Sequence, residues 1–174
     1  MTTGPFIIGF VAFAAAAVAV GCGTASSPAE APLSAEQVAD LCANVGDDEA
    51  RSPSFLATAN VSGVRPFMGE HQYIKFTEPE LRGADILLRS SPGLTRQWVS
   101  RVLHCHVARH GFAGTTAPDS VADPFVLETR PDLVVLETQT GFVVRVAGHD
   151  RGEGVEILRR AKLLVYGPAA PAVN

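Results

Sequence analysis

The sequence has no excess of basic residues. It carries 14 Lys and Arg against 18 Asp and Glu, which gives a net charge of −4 with histidine neutral. Proteins that bind nucleic acid rely on clustered Lys and Arg side chains to neutralise phosphates, and an acidic balance argues against such clusters. The same net negative charge does not favour binding to anionic lipid headgroups. The composition therefore predicts that nucleic acid is not a partner.

The N-terminal segment lacks both charge and the length needed to cross a membrane. Its apolar run from Phe6 to Val20 would span roughly 22 Å as a helix, short of the ~30 Å hydrocarbon core of a bilayer. Residues 1–21 carry no charged side chain, so only the α-amino group is positive there. The run favours a removed signal peptide. The alternative is an uncleaved N-terminal anchor helix.

Cys22 follows this run directly, with the small residues Ala19 and Gly21 before it. The arrangement resembles the lipobox of bacterial lipoproteins, whose cysteine is acylated and becomes the first residue of the mature chain. The resemblance implies a lipid anchor on Cys22. It also implies delivery to the outer membrane, facing the periplasm, because Gly23 is not the aspartate that retains such proteins in the inner membrane. We expect a signal peptide at 1–21, a flexible tether at 22–33, one domain at 34–167 and a C-terminal tail at 168–174.

Cysteine is scarce, with three residues in the chain. If Cys22 carries lipid, Cys42 and Cys105 are the remaining pair, and the oxidising envelope favours a disulfide between them. A mature chain of about 150 residues buries enough surface for one domain without that bond. The disulfide is therefore expected to add stability to a domain that folds around its own core.

Local signals predict three helices, each preceded by a side chain that can cap its first turn. The caps are Ser34, Thr95 and Asp150, and glutamine or glutamate stands three residues after the first and third. The predicted spans are 35–44, then Thr95 to Arg109 or His110 with Gly111 as the stop, then a helix from Asp150 to Gly167 with Val155, Leu158, Ala161 and Val165 as its buried stripe.

Strands are predicted between these helices. The segments are one near Tyr73 to Phe76, one at Ala84 to Leu88, and a hairpin of Leu133 to Thr138 and Phe142 to Val146 around Gln139-Thr140-Gly141. The order of helix, strands, helix, hairpin and helix predicts an α+β fold. We expect a two-layer sandwich in which a mostly antiparallel sheet has helices packed on one face.

Common catalytic motifs are missing. The sequence contains no Gly-x-Ser-x-Gly elbow for a serine nucleophile, no Cys-x-x-Cys pair for redox chemistry and no His-Glu-x-x-His for zinc-dependent hydrolysis. We therefore expect that the protein is not an enzyme.

Three of the five histidines lie close together, at His104, His106 and His110. On a helix, His106 and His110 share the apolar face with Cys105, while His104 points away from it. Histidines four residues apart can ligate one zinc or copper ion, and His71 is the candidate third ligand, with the Cys105 thiol as a further donor. The competing interpretation places His106 in a core hydrogen bond and His110 near the helix C-terminus, where the dipole favours an imidazolium.

The mature domain resembles a group of uncharacterised bacterial envelope lipoproteins. The matching segments are Cys42-Ala43-Asn44-Val45, Ser52-Pro53-Ser54-Phe55, Gly83-Ala84-Asp85, Pro92-Gly93-Leu94-Thr95, Cys105-His106-Val107-Ala108-Arg109 and Gly141-Phe142-Val143-Val144. Where we would expect a further cysteine before a proline, this chain has Asp123-Pro124-Phe125. The group has no established activity, so the resemblance implies a location and no reaction.

These observations together predict a lipid-anchored envelope protein with a non-enzymatic structural or binding role facing the periplasm. Its membrane contact is the lipid on Cys22, it needs no cofactor, and a protein partner is left open. The alternative is a transition-metal-binding lipoprotein that holds Zn or Cu on the helix face of His106 and His110.

Overall fold

The computed structural model describes residues 33–57, 60–72, 74–113 and 122–167. The predicted signal peptide at 1–21, Cys22, the tether up to residue 32 and the tail at 168–174 lie outside the described residues. Within those ranges, none of the helices combines the length and the apolar character that crossing a membrane would require.

The described ranges contain four helices and four strands. In chain order they are α1 (Ala35–Leu41), α2 (Asp47–Arg51), a 3₁₀ turn (Ser54–Leu56), β1 (Val61–Gln72), β2 (Thr77–Arg89), α3 (Arg96–Ala113), β3 (Asp132–Thr138), β4 (Gly141–Ala147) and α4 (Arg151–Tyr166). The strands form one sheet in the order β1-β2-β4-β3, with every neighbouring pair antiparallel. Helix α4 packs on β2 and β1, and α3 packs on β3. The predicted α+β sandwich is confirmed.

One apolar cluster fills the space between the sheet and the helices. Alternate residues of the two central strands face it, because successive side chains of a strand point to opposite sides. The helices contribute residues spaced three or four positions apart, which lie on one side of each helix. The buried members are Ala84, Ile86 and Leu88 on β2, Val144 and Val146 on β4, Val99, Val102 and Leu103 on α3, and Ile157, Leu158 and Ala161 on α4.

The predicted caps are present. The Ser34 hydroxyl accepts the Gln37 backbone N–H while the Gln37 side chain accepts that of Ser34, and α1 ends three residues earlier than predicted. The Asp150 carboxylate accepts the Glu153 backbone N–H at the start of α4. Gly111 does not stop α3, which continues for two further residues. One glycine lowers helix propensity only by about 1 kcal/mol relative to alanine, which a helix packed along much of its length tolerates.

The strand predicted near Tyr73 to Phe76 is wrong. Residues 74–76 connect β1 to β2, and Tyr73 lies outside the described residues. The preceding strand β1 has no alternating apolar pattern, because it forms an edge of the sheet and is exposed or half-buried along nearly its whole length. It also contains Pro66 and two irregularities in its register with β2. An edge strand of this composition gives little local signal.

The buried stripe predicted for α4 is wrong at one position. Val155 is 38% exposed, whereas Ile157 is fully buried in the core. Leu158 and Ala161 are buried as predicted, and Val165 is half-buried against them. The inward face therefore runs through Ile157, Leu158 and Ala161, and Val155 lies beside it.

Substitution of Gly154 by alanine is expected to lower the free energy of unfolding by about 1 to 3 kcal/mol. Gly154 is buried where α4 meets β2, and a Cβ there would lie 2.5 Å from the Leu81 carbonyl oxygen and 2.7 Å from the Arg82 carbonyl carbon. Backbone atoms of a central strand cannot move aside, so the helix must shift. Urea denaturation measures the effect.

Gly152 provides the matched control in the same helical turn. It is exposed, and the nearest atom to an added Cβ is the capping Oδ1 of Asp150 at 3.2 Å, which needs to move by only a few tenths of an ångström. Gly152→Ala should therefore stay within about 0.5 kcal/mol of the wild type. Equal effects of the two alanines would show that the close approach of α4 to β2 does not matter.

Candidate functional site

Helix α3 carries the histidines into the interior. The Thr95 hydroxyl accepts the Trp98 backbone N–H at 3.2 Å, so the helix begins where the sequence predicts. Val102 and Leu103 are fully buried, and the next inward position places His106 in the core with 2% of its surface exposed. His104 lies on another side, where its Nδ1 is 2.7 Å from the Ser100 carbonyl of its own helix. The predicted division of the histidines is therefore observed.

His106 is hydrogen-bonded through both ring nitrogens. Its Nδ1 lies 2.7 Å from the carbonyl oxygen of Ala50 on α2, and because a carbonyl only accepts, Nδ1 carries the proton. Its Nε2 lies 2.6 Å from Oδ2 of Asp123. Burial opposes the charged imidazolium, but the Asp123 carboxylate and the Ala50 carbonyl outweigh it and raise the pKa of His106.

Asp123 is held in place by its neighbours in the loop before β3. Its Oδ1 accepts the backbone N–H of Phe125 at 2.8 Å, which leaves Oδ2 facing His106. Phe125 is 1% exposed, and its ring stands edge-on to the His106 ring at 6.1 Å between centroids. From α4, the Arg160 guanidinium donates to the backbone carbonyls of Asp123 and Val126, at 3.2 and 2.5 Å. The carboxylate is thus fixed by packing, by a turn and by a second helix.

His110 lies one helical turn after His106 and faces the same cluster. The two rings are 4.6 Å apart between centroids in an edge-to-face arrangement. The Nδ1 of His110 is buried and has no hydrogen-bond partner among the residues that the structure describes. Burial and the neighbouring His106 lower the pKa of His110, although Asp123 acts in the opposite direction. His110 is therefore favoured as a neutral imidazole, with a nitrogen lone pair available.

The structure brings together His106, His110 and Asp123. One nitrogen from each histidine and one carboxylate oxygen all lie within 4.8 Å of one another. His71, the predicted third ligand, is on β1, where its Nδ1 is 3.4 Å from Oε2 of Glu80. Asp123 was not predicted for this role. The one sequence signal for Asp123 was its position directly before Pro124 and Phe125. Both of these residues are buried, and they draw the neighbouring carboxylate towards the core.

A disulfide joins Cys105 of α3 to Cys42 at the end of α1. Cys105 therefore has no thiolate to offer a metal, in contrast to the further donor considered from the sequence. Helix α2, which follows Cys42, is linked to α3 by an ion pair of 2.6 Å between Arg109 and Asp47 and by the His106–Ala50 hydrogen bond. These contacts fix the carbonyl that orients His106.

The arrangement can bind an ion more readily than it can move a proton. A general base needs a free nitrogen within reach of a substrate, but both nitrogens of His106 are engaged, and the Nδ1 of His110 is buried. A nitrogen-rich cluster with a carboxylate is instead a set of ligand atoms that transition metals accept.

Comparison with known proteins adds no relative to this geometry. The chain matches no protein-family model, no curated protein and no solved structure. The resemblance to bacterial envelope lipoproteins therefore stays a prediction.

Proposed function

We propose that this chain is a lipid-anchored protein of the bacterial envelope whose domain faces the periplasm and has a non-enzymatic structural or binding role. The observation that carries the proposal is the pairing of Cys42 with Cys105. It uses two of the three cysteines and leaves Cys22, which stands at the end of the apolar leader. Disulfides persist in the periplasm and are rare in the cytoplasm, so the bond and the leader favour the same compartment.

The use of the reactive side chains supports binding over catalysis. Cys105 is committed to the disulfide, and His106 bridges two acceptors inside the core. The Cys105 sulfur and both ring nitrogens of His106 are thus engaged within the protein, and the Nδ1 of His110 is buried away from solvent. We therefore infer that the domain acts by binding a ligand or by contacting other molecules.

Acylation of Cys22 is tested on the full chain expressed in a bacterial host with labelled palmitate. We expect label on the protein, recovery in the membrane fraction, and mass spectrometry that finds a mature N-terminus at Cys22. Cys22→Ser should carry no label, because the hydroxyl does not take the place of the thiol in lipoprotein processing. Cys42→Ala/Cys105→Ala is the matched control and should be labelled like the wild type.

The same fractions test the membrane to which the protein is delivered. Separation of inner and outer membranes should place the wild type in the outer one, and Gly23→Asp should move it to the inner one. An intact Met1 on the purified protein, with no fatty acid on Cys22, would refute the proposal.

A further inference from the structure

We propose that His106, His110 and Asp123 form a binding site for a divalent transition-metal ion, Zn²⁺ or Cu²⁺. The ligand atoms are Nε2 of His106, Nδ1 of His110 and Oδ2 of Asp123. The site would supply a ligand for the binding role proposed above, but it does not depend on the lipid anchor. It replaces His71 of the sequence prediction with a carboxylate from the loop before β3.

The donor set selects the class of metal. Two imidazole nitrogens and one carboxylate oxygen suit Zn²⁺ and Cu²⁺, whereas Ca²⁺ and Mg²⁺ prefer a shell made of oxygen atoms. Three protein ligands are the number found in zinc sites that keep one position for water or another small ligand. We therefore expect a bound ion with an open position.

The distances allow a metal with little movement. Zinc lies about 2.0 to 2.2 Å from nitrogen and oxygen ligands, so two ligands at a tetrahedral angle are roughly 3.3 Å apart. One ligand atom from each of the three residues already lies within 4.8 Å of the other two, and the Nε2 of His106 is 2.6 Å from Oδ2 of Asp123. The distance between these two atoms would increase by less than an ångström on metal binding. The ion takes the place of the proton that they share, and that proton is released to solvent.

Both hydrogen-bonded ligands already have the outer partners that metal ligands usually have. The Nδ1 proton of His106 is donated to the Ala50 carbonyl, which leaves Nε2 as the atom to coordinate. The Phe125 N–H is donated to Oδ1 of Asp123, which leaves Oδ2 for the ion. The ring and the carboxylate are therefore oriented by groups on α2 and on the loop before they meet a metal.

His110 distinguishes a metal site from a purely structural pair. A charged His106 between the Ala50 carbonyl and Asp123 would explain those contacts without an ion. Within the described ranges, that structural explanation leaves the buried Nδ1 of His110 without a partner, which is unfavourable in a protein interior. Coordination to a shared ion satisfies that nitrogen, and the i,i+4 spacing on α3 brings it to the same point as His106.

The test is calorimetric titration of the purified, oxidised full chain with Zn²⁺ after chelator treatment and dialysis. We expect one Zn²⁺ per chain and a rise in the midpoint of thermal unfolding. Loss of a partner that only orients a ligand costs 10- to 100-fold in affinity, so His110→Ala and Asp123→Asn should each weaken binding by at least about 100-fold. Cu²⁺ should compete for the site, and Ca²⁺ and Mg²⁺ should not.

The matched controls are His71→Ala and His104→Ala, which remove histidines outside the cluster and should leave the affinity unchanged. Asp123→Asn keeps an oxygen for the Phe125 N–H, and His110 is half-buried near the end of α3, so each variant is chosen to preserve the fold. Circular dichroism checks this, and if one variant does not fold, the other still decides.

The proposal is overturned if the wild type takes up no Zn²⁺, or if His110→Ala and Asp123→Asn, whichever of them fold, bind as tightly as the wild type. Loss of binding in His71→Ala or His104→Ala would overturn it equally. The titration is repeated on Cys22→Ser, whose domain is unchanged. Failure of acylation would then refute the lipid anchor alone, and failure of Zn²⁺ binding would refute the metal site alone.

Discussion

Reduction of the Cys42–Cys105 disulfide is expected to lower the free energy of unfolding by about 4 kcal/mol. The two cysteines are 63 residues apart, so the bond closes a long loop in the unfolded chain. In the chain-entropy account, the open chain gains the conformations that the bond had excluded, which stabilises the unfolded state. Small domains have a total stability of about 5 to 15 kcal/mol, so the loss is a large part of the whole.

The measurement is urea denaturation of the wild type with and without reductant, which changes the bond and leaves every side chain in place. The control is Cys42→Ala/Cys105→Ala, whose stability should not respond to reductant. A difference below about 1 kcal/mol for the wild type would contradict the prediction. It would mean that the reduced chain keeps the same restricted ensemble without the bond.

The bond also matters for the site, because it holds the segment that orients His106. The Arg109–Asp47 ion pair is exposed and contributes little, since such pairs are typically worth about 0 to 1 kcal/mol. The disulfide and the burial of Ala50 and Phe55 are therefore the main contacts that keep the Ala50 carbonyl against α3.

The elements predicted correctly are those whose signals are local. The Ser34 cap, the Asp150 cap and the β3–β4 hairpin each depend on residues within a few positions of one another, and the structure places all three as expected. Short-range chemistry of this kind survives tertiary packing because the same side chains make the same bonds.

The features that were missed depend on contacts between distant parts of the chain. β1 is a strand because β2 pairs with it, while its own Pro66 and its exposed pattern give no periodic signal. The site shows the same limit. The His106–His110 spacing is visible in the sequence, but the third group is Asp123, brought there by a loop that Phe125 anchors in the core. Spacing along a helix cannot identify a partner that a separate loop supplies.

Substitution of Phe125 by alanine is expected to lower the free energy of unfolding by about 3 to 5 kcal/mol, the usual range for removing a buried phenylalanine ring. Phe125 is 1% exposed and packs in the apolar cluster between the sheet and the helices, edge-on to His106. Alanine leaves a cavity that the surrounding helices and sheet fill only in part. Thermal and urea unfolding measure the loss.

Two controls separate packing from other effects of the same change. Tyr166→Ala removes an aromatic ring of similar size from a 57% exposed position at the end of α4 and should cost about 0.5 kcal/mol or less. Phe125→Leu keeps much of the volume and should cost clearly less than Phe125→Ala. Every residue at 125 other than proline keeps the backbone N–H that Asp123 accepts. A stability of Phe125→Ala within 1 kcal/mol of the wild type would therefore show that packing of the ring does not anchor this loop in the core.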